Sequence, residues 1–287
     1  MRPANIVTAV ADILAGVAIA GIAINQFAID LPVTTLIGLI IATIGLYGGG
    51  VVFNDFFDAA LDKIERPERP IPSGRVSKQN AFILGATLLL LGIIAATYVS
   101  YLSGIIAVAI SFFALFYDKY AKHSIVFGPL FMGLCRSLNL LLGMSILLPG
   151  LETHWYMALL PLAFIAAITL TSQGEVKGGN KGAVAIALIL DVVILSFLMG
   201  LAYNSVMDFY SLIPFALLWT IMNGYALIKA LKNNTSANIM NAVKMGVLSL
   251  IPLNASYAAG FGGFQVGLIV LALLPVSIVL SKKFAVT

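Results

Sequence analysis

Apolar runs of about twenty residues follow one another along this chain, with short polar connections between them. A helix of that length crosses the ~30 Å hydrocarbon core of a bilayer. Within that core only helices and closed barrels satisfy every backbone polar group. The runs lack the ten-residue alternation of barrel strands, so an all-α chain is expected. Composition agrees: 61% of the 287 residues are hydrophobic and only 10% are charged, against about 25% charged in a soluble domain. Candidate spans fall at residues 5–27, 32–57, 79–99, 102–117, 125–148, 155–172, 183–202, 209–231, 239–259 and 264–281. No cleavage site follows the first run, which is therefore expected to remain as a helix. The expectation is a polytopic membrane helical bundle of nine to ten transmembrane helices around a central cavity, a single domain over residues 1–287.

Charge placement orients this bundle. Connections after the even-numbered spans carry Lys63, Arg66, Arg69, Arg75 and Lys78, then Lys119 and Lys122, then Lys177 and Lys181, then Lys229 and Lys232. The opposite connections, at 28–31, 100–101, 149–154, 203–208 and 260–264, contain no Lys or Arg. This is a positive-inside pattern, which places both termini and the basic loops in the cytoplasm and favours ten spans. Three charges escape it, since Asp12, Arg136 and Asp191 lie within spans. Arg136, with Asn139 one turn on, suits either a polar cavity or a link between helices. Asp12 is open between the same two roles, and Asp191, alone on an aliphatic run, reads as structural. An ion-coupled transporter would rest on such midplane charges, and it ranks last because the densest cluster lies at a helix end. The single cysteine, Cys135, forms no intrachain disulfide and reads as packing.

That cluster is the stretch 54–77, NDFFDAALDKIERPERPIPSGRVS. Asn54, Asp58 and Asp62 fall at i, i+4 and i+8, on one helix face with about 6 Å per step. Asp55 and Glu65 are off that face. Arg66, Arg69 and Arg75 follow among Pro67, Pro70, Pro72 and Gly74. Carboxylates hold a hard cation through oxygen, and arginines hold phosphate oxygens. The pattern suits a pyrophosphate bridged to protein through Mg²⁺. Gly48, Gly49 and Gly50, one turn earlier, read first as a close helix contact and second as room beside the acidic face.

The string Asn54-Asp55-Phe56-Phe57-Asp58-Ala59-Ala60-Leu61-Asp62 fits NDxxDxxxD. With the arginine loop after it, it closely resembles the first motif of the UbiA superfamily of intramembrane prenyltransferases. Arg2-Pro3-Ala4-Asn5 is similar to the family's opening segment. Tyr117 to His123, YDKYAKH, is similar to its Tyr-to-Lys element, with Lys122 as the lysine and His123 read as a surface residue. The family's second motif, DxxxD, is expected after the sixth span. Here the loop reads SQGEVKGGNKG from Ser172, with Glu175 at the first acid position and Gly179 where the second acid belongs. This loop form resembles a divergent UbiA-like branch, the type encoded in bacterial ebo operons.

The resemblance implies Mg²⁺-dependent transfer of an isoprenyl group from a polyprenyl diphosphate to an acceptor, commonly aromatic, within the membrane. It implies Asn54, Asp58 and Asp62 as catalytic ligands of one Mg²⁺ and Glu175 as a contributor to a second. It implies Arg66, Arg69, Lys122 and Lys177 as diphosphate ligands, with Arg75 either joining them or only marking the cytoplasmic side. Lys181 stands near enough in sequence to neutralise phosphate as well. Phe53, Phe57 and Tyr117 either flank an allylic cation or pack the core. Membrane lipids are the other expected partners, and nucleic acid is not one. The missing acid at Gly179 supports an alternative, a non-catalytic UbiA-like protein that binds or moves a lipid precursor.

Overall fold

A computed structural model describes residues 3–21, 33–176 and 178–283. Arg2, the 28–31 connection and Lys177 lie outside the described residues. Among the described residues the secondary structure is helical, without strands. In chain order α1 is Pro3–Ile19, α2 Val33–Glu65, α3 Lys78–Val99, α4 Tyr101–Phe116, α5 Phe127–Met144 and α6 Leu148–His154. Then come α7 Leu159–Ser172, α8 Lys181–Tyr203, α9 Phe209–Lys232, α10 Ser236–Gly262, α11 Phe264–Leu271 and α12 Leu273–Lys283. Nine helical segments of the described residues are long and apolar enough to cross a membrane, and α1 is a shorter apolar helix. The protein is a multi-pass integral membrane protein built as a helical bundle.

Two boundaries differ from the sequence expectation. The fifth span is shorter than the run 125–148: α5 is long and apolar enough to cross but stops at Met144, and α6 starts at Leu148 with Pro149 in its first turn. Proline fits there because its missing N–H would have no intrahelical acceptor anyway. A 3₁₀ turn, Trp155–Ala158, then joins α6 to α7, and the segment Leu148–Ser172 is long and apolar enough to cross as one unit. The last run breaks at Ala272 into α11 and α12.

Helix α2 positions the acidic stretch. Its 33 residues make a rod about 50 Å long, well beyond the ~30 Å apolar core of a bilayer. The helix therefore carries its carboxylates past the apolar slab without leaving helical phase. It ends at Glu65 because Pro67 disfavours helical backbone at Arg66. Glycines set how closely α2 lies on α3. A Cβ on Gly45 would stand 2.7 Å from the Leu88 carbonyl, and one on Gly92 would stand 2.9 Å from the Ala42 carbonyl. Gly49 belongs to the same seam, where a Cβ would meet Leu89 at 2.7 Å, so packing is its role. Gly50 faces elsewhere and lines the central cavity. A second seam joins α1 to α5, where a Cβ on Gly143 would stand 2.5 Å from the Ile13 carbonyl.

Two large apolar clusters flank the cavity. One gathers Phe164, Phe215, Trp219 and Tyr257, and the other gathers Ile13, Leu39, Leu46, Phe53 and Leu142. Outward faces are aliphatic, as at Leu90, Leu91 and Ile94 on α3 and at Val192 and Val193 on α8. Lipid tails supply the apolar surroundings those side chains need.

Candidate functional site

A cavity of about 440 Å³ is lined by residues of α1, α2, α4, α5, α7 and α10 and of three connections. Its mouth is charged: Asn54, Asp58, Asp62, Glu65, Arg66 and Arg69 come from α2 and the loop after it, Asp118 from the turn after α4, and Glu175 from the turn after α7. Apolar residues such as Leu46, Ile110, Met132, Ile165 and Leu250 form the wall. Asn5, Thr8, Thr43, Tyr47, Arg136 and Asn139 form a second polar region. Tyr47 and Asn54 are seven residues apart on α2, so the two polar regions come within about 10 Å of each other along that helix.

At the mouth, acids and bases are held as pairs. The Arg69 guanidinium stands 2.8 Å from Asp62 Oδ2 and 3.4 Å from Asp55 Oδ1. Lys122 Nζ donates to Asp58 Oδ1. Asn54 Nδ2 donates to Asp118 Oδ1 over 2.9 Å. Lys122 and Asp118 reach α2 because the end of α4 is wound as a π-turn, Tyr117–Ala121, closed by the Lys122 N–H on the Tyr117 carbonyl at 3.0 Å. The wider ring inserts one extra residue and re-aims the side chains that follow, a device common at functional sites. Arg66 lines the cavity and makes no ion pair among the described residues.

Most of the residues expected from sequence converge here. Asn54, Asp58, Asp62, Glu175, Arg66 and Arg69 share the cavity, and Lys122 touches it through Asp58. Arg75 does not join them: its Nε donates to Ser73 Oγ at 3.0 Å and its Nη2 donates to the Glu68 carbonyl, so it buttresses its own loop. Lys177 is outside the described residues, and Lys181 is exposed at the start of α8. Glu65, expected off the face, lines the mouth. Phe53 and Phe57 are absent from the lining and pack with Phe56, while Tyr117 does line it. Cys135 also faces the cavity, and so is not core packing alone.

Gly179, where the family pattern has an acid, lies at an open position. It is exposed, has φ +76°, and a Cβ built there meets nothing within 4 Å. Its N–H donates to the Asn234 carbonyl at 3.1 Å, which ties the loop to the segment before α10. It is not part of the cavity lining. Glu175 is held nearby, its carbonyl accepting from Ser236 Oγ.

Sequence reasoning passed over Asp118, which is only 5% exposed. The usable signal was an acid adjoining the end of an apolar run, the same signal that marked Asn54 and Asp58. It also left the inner network unresolved. Arg136 Nε stands 2.7 Å from Asp12 Oδ2, and Asp12 also accepts from Asn139 at 3.0 Å and from Asn254 at 2.7 Å. Asn139 in turn accepts from Thr43 at 2.7 Å. The charges thus both link helices and present Arg136 and Asn139 to the cavity. Asp191 lies apart, accepting from Asn223 on α9 at 2.6 Å, in a structural role.

The donor chemistry suits Mg²⁺. Among the described residues no three His, Cys, Asp or Glu side chains close into a metal cage. Mg²⁺ seldom uses such cages; it keeps water and takes one or two carboxylates together with substrate phosphate. An open wall carrying Asp58 and Asp62, with the Asn54 amide beside them, matches that preference.

Comparison with known proteins places this architecture. A digeranylgeranylglyceryl phosphate synthase of Methanosarcina barkeri is 34% identical over 123 residues, covering 43% of this chain and 42% of that one. That of Methanothrix thermoacetophila is 30% identical over 177 residues, 62% of each. The chain spans less than two thirds of the length of these curated relatives. A UbiA homologue from Archaeoglobus fulgidus, solved with GPP and Mg²⁺, superposes with a TM-score of 0.65 at 14% identity, covering 94% of this chain and 97% of that one. The sequence profile of the UbiA prenyltransferase family matches residues 13–240, well over half of the chain. The chain belongs to the UbiA prenyltransferase family.

Proposed function

We propose that this protein transfers an isoprenyl group from a polyprenyl diphosphate to an acceptor inside the membrane, with Mg²⁺ as cofactor. The observation that carries the reading is one cavity with paired acids and cations at its mouth and an apolar wall behind them. The wall suits an isoprenyl tail, and the mouth suits its diphosphate. Asn54, Asp58, Asp62 and Glu175 are the candidate ligands of Mg²⁺; Arg66, Arg69 and Lys122 are the candidate ligands of the diphosphate. Lys177 is kept as a further diphosphate ligand on its sequence position alone. The whole chain acts as one domain, since α1 and α10, from opposite ends of it, line the same cavity. Positive-inside charge supports a cytoplasmic mouth and cytoplasmic termini.

The pairing at the mouth gives the residues a sequence of roles. Lys122 and Arg69 neutralise Asp58 and Asp62. The same two cations would serve phosphate oxygens, and Asp58 and Asp62 would hold Mg²⁺. The bound Mg²⁺ would supply charge stabilisation for the departing pyrophosphate. Arg66 and Arg69 hold that leaving group as the prenyl C–O bond breaks and its electron pair leaves with oxygen. The acceptor then bonds to the allylic carbon and loses a proton. The apolar part of the wall would keep water from competing for the cation. For the acceptor, the name of the curated relatives supports a glyceryl phosphate lipid, while the family resemblance supports an aromatic ring.

Pyrophosphate release from geranylgeranyl diphosphate, with and without Mg²⁺ and with aromatic and glyceryl phosphate acceptors, tests the reading. Mg²⁺-dependent release that disappears in Asp58→Ala is expected. Binding of the diphosphate with no release by wild type under any acceptor would favour the non-catalytic alternative.

A further inference from the structure

We propose that Asp118 supplies the carboxylate that the loop at Gly179 lacks, acting on the same Mg²⁺-diphosphate complex; the inference rests on the prenyltransferase reading. Gly179 is exposed and outside the cavity. Asp118 is 5% exposed and lines the cavity mouth beside Asn54. A carboxylate so buried is costly in a membrane protein unless it serves a cavity or partner.

Its geometry gives it a defined action. Asn54 must turn its amide nitrogen to the acceptor-only carboxylate of Asp118, at 2.9 Å, which directs Asn54 Oδ1 away from Asp118. An amide oxygen is the atom a hard cation takes. Asp118 therefore fixes which end of Asn54 is offered and adds negative charge at the same place. The π-turn makes this possible, because Asp118 and Lys122 meet Asn54 and Asp58 with the same offset of 64 residues. One short segment thus delivers an acid to the amide and a base to the acid of the ladder. In this reading the acid lost after α7 is replaced from the end of α4, and the site keeps its charge.

Retention of Mn²⁺ by the full chain in the presence of inorganic pyrophosphate, followed by the spectroscopic signal of free Mn²⁺, tests this without turnover. Asp118→Asn keeps an acceptor for Asn54 but removes the charge, and it should weaken Mn²⁺ retention about tenfold or more. Asp118→Glu should stay within about threefold of wild type by the same measure. Gly179→Asp should leave retention unchanged. If Asp118→Asn lowers the metal-free Tm, Asp118→Ser replaces it in the comparison. Equal Mn²⁺ retention by wild type and by the uncharged Asp118 variant, with loss in Asp58→Ala, would overturn the inference and leave the prenyltransferase reading standing. Failure of wild type to retain Mn²⁺ with pyrophosphate would overturn both.

Discussion

Asp58 and Lys122 form an ion pair across 64 residues of sequence, joining the acidic face of α2 to the turn that ends α4. Both side chains are largely shielded, at 17% and 12% exposure, so the pair is screened less than a surface bridge. The pair ties α2 to the end of α4 at the cavity mouth. Removing the acid would take away a proposed Mg²⁺ ligand and leave Lys122 without this partner. Asp58→Ala should lower Mg²⁺-dependent pyrophosphate release by about 100-fold or more, measured as kcat/KM on geranylgeranyl diphosphate. Lys122→Met should raise KM for the diphosphate more than it lowers kcat.

Arg69 and Arg75 stand six residues apart in one loop, yet their surroundings assign them different effects. Arg69 meets both Asp55 and Asp62 through one nitrogen, Nη1, and its planar guanidinium carries further donors for phosphate oxygens that an ammonium cannot place. Arg69→Lys should cost about tenfold in kcat/KM, or ~1.4 kcal/mol. Among the described residues Arg75 bonds its own loop, and Arg75→Ala should stay within about twofold of wild type. Comparable losses in the two variants would contradict this division.

Restoring the family acid at Gly179 should not raise activity. The position is exposed, away from the cavity, and at φ +76°, where a side chain costs about 1 kcal/mol. Gly179→Asp should therefore leave pyrophosphate release within about twofold of wild type and shift Tm slightly downward. A large rise in turnover would show that the loop moves into the cavity when substrate binds.

The inner pair predicts a stability effect. Asp12 is fully buried and Arg136 is 6% exposed, so removing either partner strands a charge in the bundle. Arg136→Met should destabilise the protein by about 3–5 kcal/mol. The double variant Asp12→Leu with Arg136→Met should recover part of that loss, because no charge is then left unpaired. Thermal unfolding in detergent, compared across the single and double variants, checks both statements.

The helix seam beneath that pair should matter to it. A side chain at Gly143 meets the Ile13 backbone, one residue from Asp12. Gly143→Val should push α1 from α5, lower Tm, and loosen the Arg136–Asp12 contact. Preservation of wild-type Tm in Gly143→Val would show that α1 slides without cost.

Much of this protein was legible in its sequence. Spanning length, the absence of strand alternation and the placement of lysines and arginines define a membrane helical bundle, because the bilayer allows few alternatives. The Asn54–Asp58–Asp62 ladder was legible for a similar reason: its spacing is local, and α2 keeps its period to Glu65. Only the tertiary structure decided which acid meets which base. Lys122 on Asp58, Asp118 on Asn54 and Arg136 on Asp12 join residues that are distant in the chain. Those meetings depend on a π-turn and on glycine seams that set how closely helices cross. Neither is visible in a hydrophobic period, because both depend on what the facing helix presents. The same reason explains why the two positions of the second motif came out differently. Glu175 reaches the cavity, whereas Gly179, four residues on, is turned out of it by a hydrogen bond to a segment from elsewhere in the chain.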